Sequence, residues 1–264
     1  MKVVLFCGGF GLRLRDYKDH IPKPMVPVGP RPILWHIMRY YAHFGHSDFV
    51  LCLGHQGDVI KDYFLKYDEA ISNDFVLSGG GRHVKLLSSD IDDWRITFAD
   101  SGLRSNLGQR LRSVRRHLEG EEMFLVNYGD VVTDAPLDEY IERFRRSGKV
   151  AAFLAVRPTY SFHIVQHEGD DDDVVSAIQS VEEAGLWING GYFMFRREIF
   201  DYMEPGEELV VEPFQRLAKE EQLLAFRYSG FWAPMDTLKD RETLERLHDT
   251  GRPPWAVWQP PEPA

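Results

Sequence analysis

The sequence predicts an α/β domain on a largely parallel sheet, and three observations carry that prediction. Apolar runs of strand length at Met1 to Cys7 and Phe49 to Leu53 each precede a stretch whose apolar residues recur at helical spacing. Farther on, short alternating pieces between Ser72 and Ala99 and between Pro158 and Phe195 add antiparallel excursions. The length, 264 residues, allows one sizeable core or one core with an appended lobe, so a single domain over residues 1–264 is expected.

Composition removes several classes of function. Hydrophobic residues at 44% and charged residues at 27% exclude a disordered or fibrous chain. A formal charge of −10 argues against nucleic acid as partner, because phosphate backbones attract basic faces; a small anionic ligand needs only a few local cations. Runs such as Val150 to Val156 are far shorter than a membrane helix requires, and no apolar leader opens the chain, so a cytoplasmic protein is expected. Cys7 and Cys52 both lie in apolar runs and read as buried hydrophobes. Cys52 and His55 have ligand-like spacing, but no second pair completes a zinc site.

The opening stretch carries the first functional signal. Met1 to Cys7 gives way at once to Gly8, Gly9 and Gly11. Backbone without Cβ atoms can approach a ligand and aim N–H groups at phosphate oxygens, although a tight turn after any buried strand would read the same. Arg13 adds a fixed positive fork, and Lys23, between Pro22 and Pro24, a point charge on a stiff segment. Neither the ATPase phosphate loop nor the dinucleotide fingerprint is complete here.

Ile33 to Phe44 is predicted helical and stopped by Gly45, and Val59 to Tyr67 is a second amphipathic helix. Residues 72–99 form antiparallel strands or a flap, with Gly79, Gly80 and Gly81 as a hairpin turn. Ser105 to His117 reads as one arginine-rich helix. Met123 to Asn127 is a strand ending at Tyr128, Gly129 and Asp130, where an aspartate can hold a metal ion or cap a helix. Helix Leu137 to Arg146 and strand Val150 to Val156 follow. The strands Phe162 to Gln166, Val174 to Gln179 and Ile188 to Phe195 enclose the acidic run Asp170 to Asp173, which reads as a solvated turn and lacks the ligand alternation of a calcium loop. Glu198 to Met203, Glu212 to Glu221 and Leu238 to Asp249 are helical, and Leu223 to Tyr228 is a strand. In the proline-rich tail, Trp255 and Trp258 favour packing onto a surface, of this chain or of an oligomer.

Several of these stretches together resemble the sugar-1-phosphate nucleotidyltransferases. They are GGFGLRL and PKPM near the start, then RPILWHIMRYY, Gly54 and Gly57 ahead of VIKDYF, YGD, INGGYF and GFWAPMDTLKDRETLE. Order and spacing are most similar to the glucose-1-phosphate cytidylyltransferases, from Met1 to about Trp258. The resemblance implies a Rossmann-like mixed sheet with a small C-terminal lobe, a homo-oligomer, and transfer of a nucleotide from an NTP, CTP favoured, to a phosphorylated acceptor. On the nucleotide side it assigns Gly8, Gly9, Gly11, Arg13 and Lys23 to the phosphates and Gly108 and Arg110 to the base-binding segment; Asp130 and Asp236 would hold Mg²⁺. On the acceptor side it points to His163, Ser180, Asn189 and Glu212.

Three departures bear on that assignment. Leu12 stands for a threonine in a loop that works through backbone. Gln179 and Ser180 stand where the family has a glutamate and a phosphate-gripping lysine, and His163 stands for a glycine lining the sugar site. The last two changes fall on the acceptor side, so nucleotidyl transfer with an altered or differently held acceptor is expected; a silent nucleotide-sugar-binding regulator is the alternative.

Overall fold

In this computed structural model, residues 1–9, 21–158, 163–167, 173–181 and 184–260 are described. The first strand, β1 (Lys2–Cys7), is buried from its second residue on. Its residues are apolar almost without alternation because both faces are covered: Val3, Leu5 and Cys7 point into one core, and Val4 and Phe6 into another. Beyond a single turn at Lys23–Met25, the short strands β2 (Pro27–Val28) and β3 (Arg31–Pro32) lead into α1 (Ile33–His43). This helix is buried at eight positions and stops at Phe44, ahead of Gly45 at φ +79°.

Next come β4 (Asp48–Leu53), α2 (Gly57–Leu65), α3 (Glu69–Ser72) and the hairpin of β5 (Phe75–Ser78) and β6 (His83–Leu86). β7 (Arg95–Asp100) then returns to the main sheet, parallel to β4. The excursion expected over residues 72–99 is therefore narrower: its last strand extends the sheet, because Ile96 and Phe98 pack against the main core. The expected single helix from Ser105 to His117 is α4 (Leu107–Ser113) followed by a 3₁₀ turn, Arg115–Leu118. Asn106 sets its start: its side chain accepts from Gln109 N–H, and the Gln109 side chain accepts from Asn106 N–H.

The remaining elements are β8 (Met123–Asn127), β9 (Val131–Thr133), α5 (Leu137–Ser147), β10 (Ala151–Val156), the hairpin of β11 (His163–His167) and β12 (Val175–Ser180), β13 (Ile188–Arg196), α6 (Glu212–Lys219), β14 (Leu223–Tyr228), β15 (Trp232–Pro234) and α7 (Leu238–Asp249). α5 buries Leu137, Tyr140, Ile141 and Phe144 and ends at Gly148. The stretch expected to be helical at Glu198 to Met203 is a 3₁₀ segment, Arg197–Tyr202.

The central sheet has seven strands in the order β14-β10-β13-β8-β1-β4-β7. Only β13 opposes its neighbours, so six strands share one direction. One core lies under α1, α5 and α7, the other under α4 and α6. Three parallel strands, β1, β4 and β8, end side by side, which is where open α/β sheets collect ligands.

The C-terminal tryptophans turn inward. Trp255 is buried, and its Nε1 donates to His36 Nδ1 at 3.3 Å while His36 Nε2 donates to Val28 O at 3.0 Å. Burial lowers His36 to about 4, which keeps it in the neutral form this relay requires. Both cysteines are buried and free, and among the described residues no helix is long and apolar enough to cross a membrane.

Candidate active site

A cavity of 480 Å³ opens at the carboxyl ends of β1 and β8. Gly8, Gly9, Lys23 and Asp130 line it, together with Tyr128, Glu208 and the segment from Leu103 to Leu107. Its size is within the range of small-molecule sites.

At one end, two carboxylates meet over one ammonium. Lys23 Nζ donates to Asp130 Oδ2 at 2.5 Å and to Asp236 Oδ1 at 2.6 Å. Burial alone would lower the Lys23 pKa, but the field and hydrogen bonds of Asp130 and Asp236 outweigh it and hold the ammonium above its ordinary value. Lys23 is aimed by its own segment: Pro22 and Pro24 restrict the backbone, Met25 N–H donates to Pro22 O at 2.8 Å, and Pro24 and Met25 are buried.

The two aspartates meet through a short ladder. β15 pairs antiparallel with β9, placing Pro234 opposite Val131, and one step on, Met235 N–H donates to Asp130 O at 3.0 Å. Asp236 follows at the head of α7, where Asp240 Oδ2 accepts from Asp236 N–H at 3.0 Å and from Thr237 N–H at 2.8 Å. The same helix reaches the loop after Lys23, for Glu245 Oε2 accepts from Gly29 N–H at 2.9 Å. α7 thus splints the Asp236 side of the site to the Lys23 side.

This arrangement fits Mg²⁺. That ion is held in such sites by one or two carboxylates, with phosphates and water completing its shell, and two convergent carboxylates supply that share. No group of three or more His, Cys, Asp or Glu is gathered among the described residues, so a site made wholly of side chains is not offered.

Beneath the glycine turn lies Arg110, a residue buried at 4% exposure. Nη2 donates to Gly8 O at 2.9 Å, and Nη1 to Ser101 Oγ at 2.7 Å and Leu53 O at 3.3 Å. Arg110 is itself among the residues lining the cavity, and its guanidinium also supports the glycine turn beside it. A Cβ on Gly8 would lie 1.9 Å from Arg110 Nη1, so glycine and arginine require each other, while a Cβ on Gly9 would meet open space. Gly108 is also explained by packing: a Cβ there would lie 2.3 Å from Glu207 O, and Gly108 does not line the cavity.

Asn189 and Glu212 are not among the residues lining the cavity but bond to two that are, Tyr128 and Glu208. Asn189 Nδ2 donates to Tyr128 Oη at 2.8 Å and its Oδ1 accepts from Gly191 N–H at 2.9 Å, which fixes Tyr128 in the cavity wall. Gly191, at φ +76°, leaves room for that ring, since a Cβ would stand 2.5 Å from Tyr128 Cδ2. Glu212 Oε2 accepts from Glu208 N–H at 3.0 Å and so shapes the loop that brings Glu208 to the cavity.

His163 and Ser180, the two unusual acceptor-side residues, are direct partners across the β11–β12 hairpin. Neither is among the residues lining the cavity. Gly11, Arg13 and most of the acidic run Asp170 to Asp173 lie outside the described residues.

Sequence reasoning missed Glu208 and Tyr128 as cavity residues. Burial raises both the Glu208 carboxyl and the Tyr128 phenol above their ordinary pKa values. Tyr128 was legible as the neighbour of Asp130, whereas nothing local separates Glu208 from the acids around it.

Residues 2–237 match the family described as Nucleotidyl transferase. The chain is 36% identical over 264 residues to a glucose-1-phosphate cytidylyltransferase of Salmonella typhi, covering 98% of this chain and 100% of that one. It is 32% identical over 260 residues to a probable glucose-1-phosphate cytidylyltransferase of Bacillus subtilis, covering 98% and 100%. Its fold resembles that of a putative glucose-1-phosphate thymidylyltransferase from Bacillus anthracis, with TM-score 0.67, 16% identity and coverage of 94% of both chains. It also resembles a UTP-bound UGPase from Acinetobacter baumannii, with TM-score 0.68, 16% identity and coverage of 97% and 96%. With the glycine turn, the lysine and the paired aspartates gathered beside one Rossmann-like sheet, the chain belongs to the nucleotidyl transferase family.

Proposed function

We propose that the protein transfers a nucleotidyl group from an NTP, with CTP favoured, to a phosphorylated sugar or sugar-like acceptor, releasing pyrophosphate. The observation that carries this reading is the meeting of Asp130 and Asp236 over Lys23 beside a glycine turn. An acceptor phosphate oxygen would attack the α-phosphorus, forming one O–P bond as the bond to the pyrophosphate oxygen breaks. Both partners are anions, so the site must neutralise charge and align the groups; no protein nucleophile is needed. Backbone N–H groups at Gly8 and Gly9 would receive phosphate oxygens, and Lys23 would supply positive charge at the α-phosphate. Asp130 and Asp236 would hold Mg²⁺, which supplies charge neutralisation and a template for the phosphates. The curated relatives support CTP and glucose 1-phosphate as the first pair to try. The pairing of His163 with Ser180 favours an altered acceptor site, because a single hairpin carries both changes. A panel of four NTPs against sugar 1-phosphates, read by pyrophosphate release with and without Mg²⁺, tests this. Release with CTP that requires both acceptor and metal is the expected result, and no release with any pair would leave the regulator reading.

We also infer self-association. In the β5–β6 hairpin, Phe75 opposite Leu86 and Leu77 opposite Val84 make an apolar face at 37–57% exposure. Lys85, opposite Val76, and His83, opposite Ser78, alternate onto the other face of the hairpin and leave this one apolar. A second copy presenting the same apolar face by two-fold pairing would cover it. Leu77→Glu is expected to lower the sedimenting mass of the protein; an unchanged mass would count against this face.

A further inference from the structure

We propose that Arg157 and Arg227, both held over the ring of Trp187, form the subsite for the acceptor's phosphate or phosphonate, taking over from the lysine that Ser180 replaces. The proposal rests on the nucleotidyl-transfer reading and adds to it the residues that select a doubly charged acceptor.

Strand register places these residues together. Ala155 of β10 is the partner of Asn189 on antiparallel β13 and of Arg227 on parallel β14. Partners across a ladder share a face of the sheet, so Asn189 and Arg227 project from the same side. One step outward along that face stand Arg157, two residues after Ala155, and Trp187, two residues before Asn189. The contact confirms the step: Arg157 Cζ lies 4.5 Å from the Trp187 ring centroid, and Arg227 Cζ lies 5.4 Å from it. Inward along the same face, Asn189 holds the Tyr128 hydroxyl, and Tyr128 lines the nucleotide cavity. The cations therefore sit at the carboxyl ends of β10 and β14, on a path that leads back to the proposed reacting phosphates.

Charge and exposure point the same way. Arg157 is half-buried and Arg227 exposed, and among the described residues neither is paired with a carboxylate. Two guanidiniums on one indole repel each other, and a divalent anion between or before them turns that repulsion into attraction. A planar guanidinium also matches two phosphate oxygens at once, which an ammonium does not. β12 (VSAIQS) offers no cation, whereas Arg157, just past β10, and Arg227, on β14, supply two.

The test uses the full chain with CTP and Mg²⁺ and glucose 1-phosphate as probe, followed by pyrophosphate release. Arg157→Met and Arg227→Met should each raise the KM for glucose 1-phosphate about tenfold, the scale of one lost charge-assisted hydrogen bond, with the KM for CTP held within twofold. Arg157→Lys should recover part of the loss, which a merely structural change would not do. A glucose 1-phosphate KM within twofold of the parent in both methionine variants overturns the proposal. If the parent protein shows no turnover with this probe, the substrate choice above has failed, and the arginines are then read by calorimetric titration with inorganic phosphate. Weaker phosphate binding in both variants than in the parent supports the subsite; equal binding, or none in the parent, overturns it.

Discussion

Replacing Lys23 with methionine is expected to reduce kcat on the order of 10²- to 10³-fold, the usual consequence of deleting one preorganised positive donor from a site where anionic charge concentrates. The same change should expose a second effect, on stability. Lys23 is the cation between Asp130 and Asp236, each within 2.6 Å of its Nζ, so its removal leaves two carboxylates facing each other. Such like charges are tolerated only when something neutralises them. Without divalent metal, Lys23→Met should therefore melt at lower temperature than the parent, and Mg²⁺ should raise its melting temperature by more than it raises the parent's. Asp236→Asn in the same background should remove that extra response to Mg²⁺. Thermal unfolding with and without Mg²⁺ reads both effects independently of turnover. An equal response in Lys23→Met and the parent would mean that Asp130 and Asp236 do not share an ion.

The second large effect is expected at Gly8. An added methyl would stand 1.9 Å from Arg110 Nη1 and 2.4 Å from Cζ, and the guanidinium has little room to retreat because it also donates to Ser101 Oγ and Leu53 O. Gly8→Ala should cost about 1–3 kcal/mol, the range of overpacking in a filled interior, and should raise the KM for the NTP through displacement of the turn. Arg110→Met should cost a similar amount for a different reason, since the buried Gly8 and Leu53 carbonyls lose a donor. The two costs share a contact, so they should not add. In the double variant the methyl no longer meets the guanidinium, and denaturant unfolding should give a loss smaller than the sum of the single losses. A strictly additive result would show that Arg110 does not support the turn.

Much of the fold was legible along the chain because its signals are local. The apolar period of α1, its glycine stop at Gly45 and the continuous apolar run of β1 each arise within about a dozen residues. β7 was misjudged for the opposite reason: Arg95–Asp100 looks like the strands of the preceding hairpin, and only the packing of Ile96 and Phe98 against the main core puts it beside β4. The site divides in the same way. Lys23 between two prolines and Asp130 after a strand announce themselves, as do the motifs shared with the family. Arg110 announced a cation but not its direction, because a guanidinium reaches either solvent or a neighbouring turn from the same helical position.

By itself, the sequence determined most of the strands and helices and which family the motifs resemble, and it pointed to the turn after the first β-strand as a candidate phosphate site. Their joining was decided only in three dimensions. Asp130 and Asp236 meet because three-residue strands pair across about a hundred intervening residues, and Arg227 comes beside Arg157 because β14 docks parallel to β10. Such contacts depend on the closing of long loops and on the register of strands distant in sequence, and no local periodicity records either.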